Sequence, residues 1–206
     1  MRGAAPTVQL LELADKLTHL SAICFDMWSV GPLGVSSFAN AMGTGLRDIR
    51  ISASTITHNY VGDSQLLVIS EHCPNLERFT YIINFGLSYY ERHRDHMTYY
   101  GVGELVRRGA NLARLELQGT QNVGISAFET IATLAEAQAR RDQADADDGG
   151  EPCVPCVLRH LHVKHVESLD NPGDAATAVK TRLAACLGTF IHFPGGGHGG
   201  VPLGVD

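Results

Sequence analysis

In the stretch NLARLELQGT, residues 111–120, the leucines stand at Leu112, Leu115 and Leu117, a step of three followed by a step of two. One face of a helix asks for steps of three and four, and a strand for two throughout. The mixed step recurs at Leu17, Leu20 and Ala22, at Leu46, Ile49 and Ile51, at Leu76, Phe79 and Tyr81, at Leu158, Leu161 and Val163, and at Leu187, Phe190 and His192. Counted from their first residues, the six copies are spaced by 29, 30, 36, 46 and 29 residues. A near-constant interval with its surplus confined to two places marks a repeat array. The surplus lies at residues 85–100, FGLSYYERHRDHMTYY, and 137–152, AQARRDQADADDGGEP.

The step has a physical reading. A short strand carries the second and third apolar residues, two apart and on one face, while the first sits where the chain turns in from a preceding helix. Helical spacing supports this before most copies: Val8, Leu11 and Leu17; Leu66, Leu67 and Ile69 after Asp63 or Ser64 as N-cap; Leu105 and Val106; Ile125, Phe128, Ile131 and Leu134; Val179 and Leu183. VSSFANAMG, ahead of Leu46, is a shorter sixth. One unit cannot bury its apolar side alone, so neighbours must stack into a parallel sheet with helices outside.

The copies resemble the leucine-rich repeat family, pattern L-x-x-L-x-L-x-x-N/C-x-L, over nearly the whole chain. The ninth position departs from the pattern, with Phe25, Ser54, Asn84, Thr120 and Val166, of which only Asn84 fits. CPNLERF (73–79) and LRDIRISASTIT (46–57) further resemble F-box-linked and ribonuclease-inhibitor-like members. The resemblance implies an α/β solenoid of about six repeats, curved, with a parallel inner sheet and helices on the outer face. It also implies protein binding on the concave face, and the F-box-linked members imply substrate recognition in a ubiquitin ligase, although no F-box-like stretch precedes the first copy. The expected organisation is a repeat domain over 1–193, insertions at 85–100 and 137–152, and a Gly-rich flexible tail over 194–206. An array that starts and stops on repeats without polar caps is also what a portion of a longer array would show.

Positions three, five and seven of each copy are expected to face away from the helices. They are His19, Ser21 and Ile23; Asp48, Arg50 and Ser52; Arg78, Thr80 and Ile82; Arg114, Glu116 and Gln118; His160, His162 and Lys164; and Thr189, Ile191 and Phe193. Arg50, Arg78, Arg114, Arg159 and Lys164 thus form an expected basic diagonal across a chain whose formal net charge is -6. Guanidinium groups on a rigid surface pair with carboxylates through two parallel hydrogen bonds. Glu116, His160 and His162 complete this candidate face for an acidic segment of another protein. The first insertion is a candidate contact loop, because Tyr89, Tyr90, Tyr99 and Tyr100 accompany Arg92 and Arg94, residue types enriched at interface hot spots. The second, with Asp142, Asp145, Asp147, Asp148 and Glu151, is expected to be a solvated flexible linker.

Several function classes find no support. Charged residues are only 18% and acidic overall, which does not suit a nucleic-acid binder, and no apolar run is long enough to span a membrane. The five scattered cysteines suggest reduced thiols in the cytoplasm or nucleus. HRD at 93–95 lacks the Asn five residues on that a kinase loop needs, since Tyr100 stands there. A calcium loop starting at Asp145 would place Cys156 where a carboxylate is required. GVGELV at 101–106 lacks the third glycine of a dinucleotide loop. The sharpest metal-like string is CVPCVLRHLHVKH, with Cys153, Cys156, His160, His162 and His165. Its histidines fall on a strand and its cysteines in the turn before it, so no metal is expected. The sequence therefore predicts a non-enzymatic interaction module without cofactor. A subunit of a larger assembly, and a zinc protein using residues 153–165, are the rivals.

Overall fold

In the computed structural model, the structure describes residues 19–27, 30–54, 60–84, 97–120, 123–148, 158–164, 166–170 and 173–193. The expected first helix over Val8–Leu17, Tyr89 and Tyr90, Cys153, Cys156, His165 and the tail 194–206 lie outside the described residues. Strands and helices alternate along the chain. They are β1 (Ala22–Asp26), α1 (Gly31–Met42), β2 (Asp48–Ser54), α2 (Asp63–His72), β3 (Arg78–Asn84), α3 (Tyr99–Arg108), β4 (Arg114–Gln118), α4 (Ile125–Asp148), β5 (His160–Lys164), α5 (Glu167–Asp170), α6 (Asp174–Cys186) and β6 (Thr189–Phe193). The six strands form one open, all-parallel sheet whose spatial order is the sequence order.

Register confirms the mixed step for five copies. Ile51, Tyr81, Leu117, Val163 and His192 stand opposite one another in successive strands, and so do Ile49, Phe79, Leu115, Leu161 and Phe190. The first copy is shifted: Ile23 pairs with Ile49 and Phe25 with Ile51. The unit is therefore Leu20, Ile23 and Phe25, not Leu17, Leu20 and Ala22. Two overlapping matches share Leu20, and burial of Phe25 against Phe38 of α1, ring centroids 5.2 Å apart, favours the later one. The correction turns Ala22, Cys24 and Asp26 to the open face in place of His19, Ser21 and Ile23.

Alternation explains why one face is greasy and the other polar. Ile49, Ile51, Phe79, Tyr81, Leu115, Leu117, Leu161 and Val163 are all buried beneath the helices, as are the turn-in residues Leu46, Leu76, Leu112, Leu158 and Leu187. Each such side chain contributes roughly 1.5–3 kcal/mol through burial. The step of three has its own backbone signature. In four units the carbonyl of the residue after the turn-in position accepts two amides from the next unit: Ser21 O from Arg47 N (2.7 Å) and Asp48 N (3.0 Å), Arg47 O from Glu77 N (2.8 Å) and Arg78 N (2.9 Å), Glu77 O from Ala113 N (2.9 Å) and Arg114 N (3.0 Å), Ala113 O from Arg159 N and His160 N (both 3.0 Å). Asn75 and Asn111, each just ahead of a turn-in leucine, donate to Thr44 O (2.8 Å) and Pro74 O (2.9 Å) of the unit before. His192 occupies an inward place in β6, where its Nε2 lies 2.9 Å from Asp170 Oδ1.

The helices stack side by side, α1 on α2, α2 on α3, α3 on α4 and α4 on α6. Gly62, not Asp63 or Ser64, caps α2, with Gln65 Oε1 accepting from Gly62 N at 3.0 Å. The Asp63 carboxylate instead reaches α3, accepting from Thr98 N (2.7 Å), Thr98 Oγ1 (2.6 Å) and Gly101 N (3.2 Å). This contact requires glycine at 101, because a methyl there would overlap the Asp63 carboxylate. The helix ahead of β2 runs twelve residues, longer than VSSFANAMG alone, with Pro32 in its first turn. Of the expected linker at 137–152, residues 137–148 are helical, since α4 continues to Asp148, and 149–152 lie outside the described residues. Five alanines between Ala135 and Ala146 favour the helix over coil, and the Arg182 guanidinium of α6 holds Glu136 at 2.7 Å. Tyr99 and Tyr100 open α3 rather than ending a loop, and Thr98 caps them. Among the described residues no helix is long and apolar enough to cross a membrane.

Two outcomes check this packing. Leu115→Ala should cost about 2–5 kcal/mol in chemical denaturation, the range for a fully buried leucine. Burial pushes the Cys73 thiol up to about 12, so it stays protonated at pH 8. Peptide mapping after iodoacetamide should find Cys73 unmodified in the native protein and alkylated once denaturant is added.

Candidate binding face

The helix-free side of the sheet presents three rows that run across the strands about 4.8 Å per step. One row reads Ala22, Asp48, Arg78, Arg114, His160 and Thr189; the next reads Cys24, Arg50, Thr80, Glu116, His162 and Ile191; the third reads Asp26, Ser52, Ile82, Gln118, Lys164 and Phe193. Register thus brings Arg50, Arg78 and Arg114 together on three adjacent strands. It separates them from the rest of the expected diagonal. Arg159 precedes β5 at the margin where the strands begin, and its carbonyl accepts Thr189 N at 2.9 Å. Lys164 lies in the third row beside Phe193.

The arginine group borders an open recess of about 380 Å³ over β1–β4, lined by Cys24, Asp48, Arg50, Arg78, Arg114 and Glu116 among others. Arg78 pairs with Asp48 at 3.1 Å, and Arg114 with Glu116 at 3.7 Å. The arginine side chains of both pairs remain half exposed, so each pair is worth only about 0–1 kcal/mol to stability. Their effect is positional: the carboxylates hold two guanidinium groups in place and leave them open to solvent. Arg50 forms no ion pair among the described residues. Three cations against two carboxylates leave the recess one positive charge in excess.

The other end of the face is different. Ile191 and Phe193 are 40% and 49% exposed, unusual for side chains of their size. The His162 ring meets Phe193 edge-on at 5.4 Å, and its Nδ1 lies 3.3 Å from Glu116 Oε1. Glu116 therefore sits between Arg114 and His162 and links the two. His162 Nε2 is buried without a hydrogen-bond partner among the described residues. The sequence places Ile191 and Phe193 on this face but does not mark them as a site. Their signal is two large apolar residues on one strand of a face that is otherwise mostly polar, Ile82 being the other large apolar residue in its rows.

Tyr99 and Tyr100, about half exposed, belong to the helix layer and share no row with the arginines. Among the described residues no group of His, Cys, Asp and Glu is arranged to hold a metal. Register does place His160 and His162 on one face, while Cys153, Cys156 and His165 lie outside the described residues.

No protein-family model matches this sequence, and no curated protein does either. Among solved structures the chain is similar to the tropomodulin C-terminal domain of Caenorhabditis elegans, with 12% identity, a TM-score of 0.49, and 88% of this chain and 90% of that chain covered.

Because the arginine pairs are exposed, Arg78→Ala together with Arg114→Ala should lower stability by less than about 2 kcal/mol, no more than the single change Leu115→Ala. Urea titration of the two variants checks the contrast.

Proposed function

We propose that the chain is a non-enzymatic interaction module, a leucine-rich-repeat solenoid of six repeats whose open, concave sheet face binds an acidic segment of another protein. The observation that carries this reading is the recess at Arg50, Arg78 and Arg114, a local positive excess on a chain with formal net charge -6. A charge placed against the overall sign of the molecule is kept apart from it by geometry. Here the parallel ladder fixes the three guanidinium groups on neighbouring strands, so little order is lost when a carboxylate docks. Substrate recognition in a ubiquitin ligase, implied by the likeness of CPNLERF to F-box-linked repeats, is one setting for such a module.

The reading is tested by fluorescence anisotropy with a labelled oligo-aspartate peptide at low salt. Binding should weaken with rising salt, and Arg78→Ala with Arg114→Ala should reduce affinity about tenfold or more, the loss of roughly 1.4 kcal/mol. An oligo-lysine peptide should not compete. Equal affinity of the wild type and the double variant would remove the recess from the binding surface.

A specific observation favours a second reading, a permanent subunit of a larger assembly: Leu33 on α1 is 81% exposed, on the helix side, far more open than its apolar neighbours in that helix. A subunit of that kind should self-associate or precipitate when isolated, whereas a free module should run as a monomer on a sizing column.

A further inference from the structure

The two ends of the open face differ in chemistry, and the distance between them is set by the sheet. At one end stand Arg50, Arg78 and Arg114; at the other, Ile191 and Phe193 project from β6 with the His162 ring against Phe193. Between them in the middle row lies Glu116, already paired with Arg114 and His162. Over β4 the charges of Arg114 and Glu116 cancel, whereas on β2 and β3 Arg50 and Arg78 face the single carboxylate of Asp48, so the positive excess that draws an acidic group lies there. The excess of a single positive charge in the recess suits one carboxylate better than a phosphate dianion.

Resting on the proposed function, we infer that the face reads a peptide at two points: one aspartate or glutamate seated between Arg50 and Arg78, and one large apolar side chain laid on Ile191 and Phe193. The strands fix the separation. Measured across the strands, from midway between β2 and β3 to β6 is three and a half spacings, about 17 Å. An extended peptide covers about 3.3–3.6 Å per residue, so the apolar residue falls about five positions from the acidic one. Charge complementarity at one end selects the partner segment, and the apolar end, which no described residue covers beyond the exposures given, fixes its register.

The experiment uses the full chain and capped synthetic peptides in which one phenylalanine stands one to six residues after a single aspartate, with serines elsewhere. Binding is followed by NMR shifts, which remain measurable for weak ligands. Affinity should peak at a spacing of about five and exceed that of the aspartate-only peptide at least about fivefold. Phe193→Ala and, separately, Ile191→Ser should flatten the spacing dependence while leaving aspartate-only binding intact. Arg50→Glu should abolish the aspartate contribution. Both β6 side chains are well exposed, so these variants keep the core.

Aspartate-only peptides that bind as well as any spaced peptide would overturn the two-point inference and leave the acidic-partner reading standing. Absence of binding by every acidic peptide would overturn both. A phosphoserine replacement that binds more than about tenfold tighter would assign the recess to phosphate instead. Self-association abolished by Phe193→Ala with peptide binding unchanged would give the apolar end to a second copy of the chain, and the inference would fall.

Discussion

In four units one backbone carbonyl, accepting two amides from the next, holds the strands in register. Ser21 O, Arg47 O, Glu77 O and Ala113 O each do so, and every row on the open face follows from that repeated contact. If one unit slipped by a single residue, its leucines would turn to water and its polar side chains into the helices. The hydrogen bonds alone are modest in net worth, about 0.5–1.5 kcal/mol each. Their force comes from coupling to burial: the same register that satisfies the carbonyl places Ile51, Tyr81, Leu117 and Val163 in one interior.

That coupling explains the division of labour between the two faces. Under the helices, volume and hydrocarbon decide most residues, and His192, a polar group in an inward place, is paired with Asp170. On the open side no described helix packs, so polar and charged side chains are tolerated there. Arg78 and Arg114 are steadied by Asp48 and Glu116 without being hidden. Between adjacent helices the contacts are individual, and one of them is the Asp63 carboxylate serving three donors of the next unit, with glycine at 101 to admit it.

Much of this was legible in the amino-acid order, for physical reasons. A step of three and two is periodic, and periodicity survives without knowledge of the fold, so five strands and their outward residues could be placed by counting. The first strand could not, because Leu20 satisfies two overlapping patterns and only the pairing of Phe25 with Ile51 separates them. The helical run to Asp148 was hidden by its many aspartates, which argue for solvent but not against helix when alanines alternate with them. The meeting of Arg50, Arg78 and Arg114 depends on which strands are neighbours, a fact of the stack rather than of any one repeat. Counting placed Ile191 and Phe193 on the open face, but their standing as an apolar end shows only in their exposure and in the His162 ring set against Phe193.

Strand order that follows chain order has a mechanical consequence. The first and last strands lie at opposite margins of the sheet, five spacings or about 24 Å apart. Tension applied to those two strands would meet the ladder one rung at a time, like a zip drawn from its end, and never load several strands in shear. Such an architecture is soft when stretched and stiff when pressed flat against something, a combination suited to a lining more than to a tether.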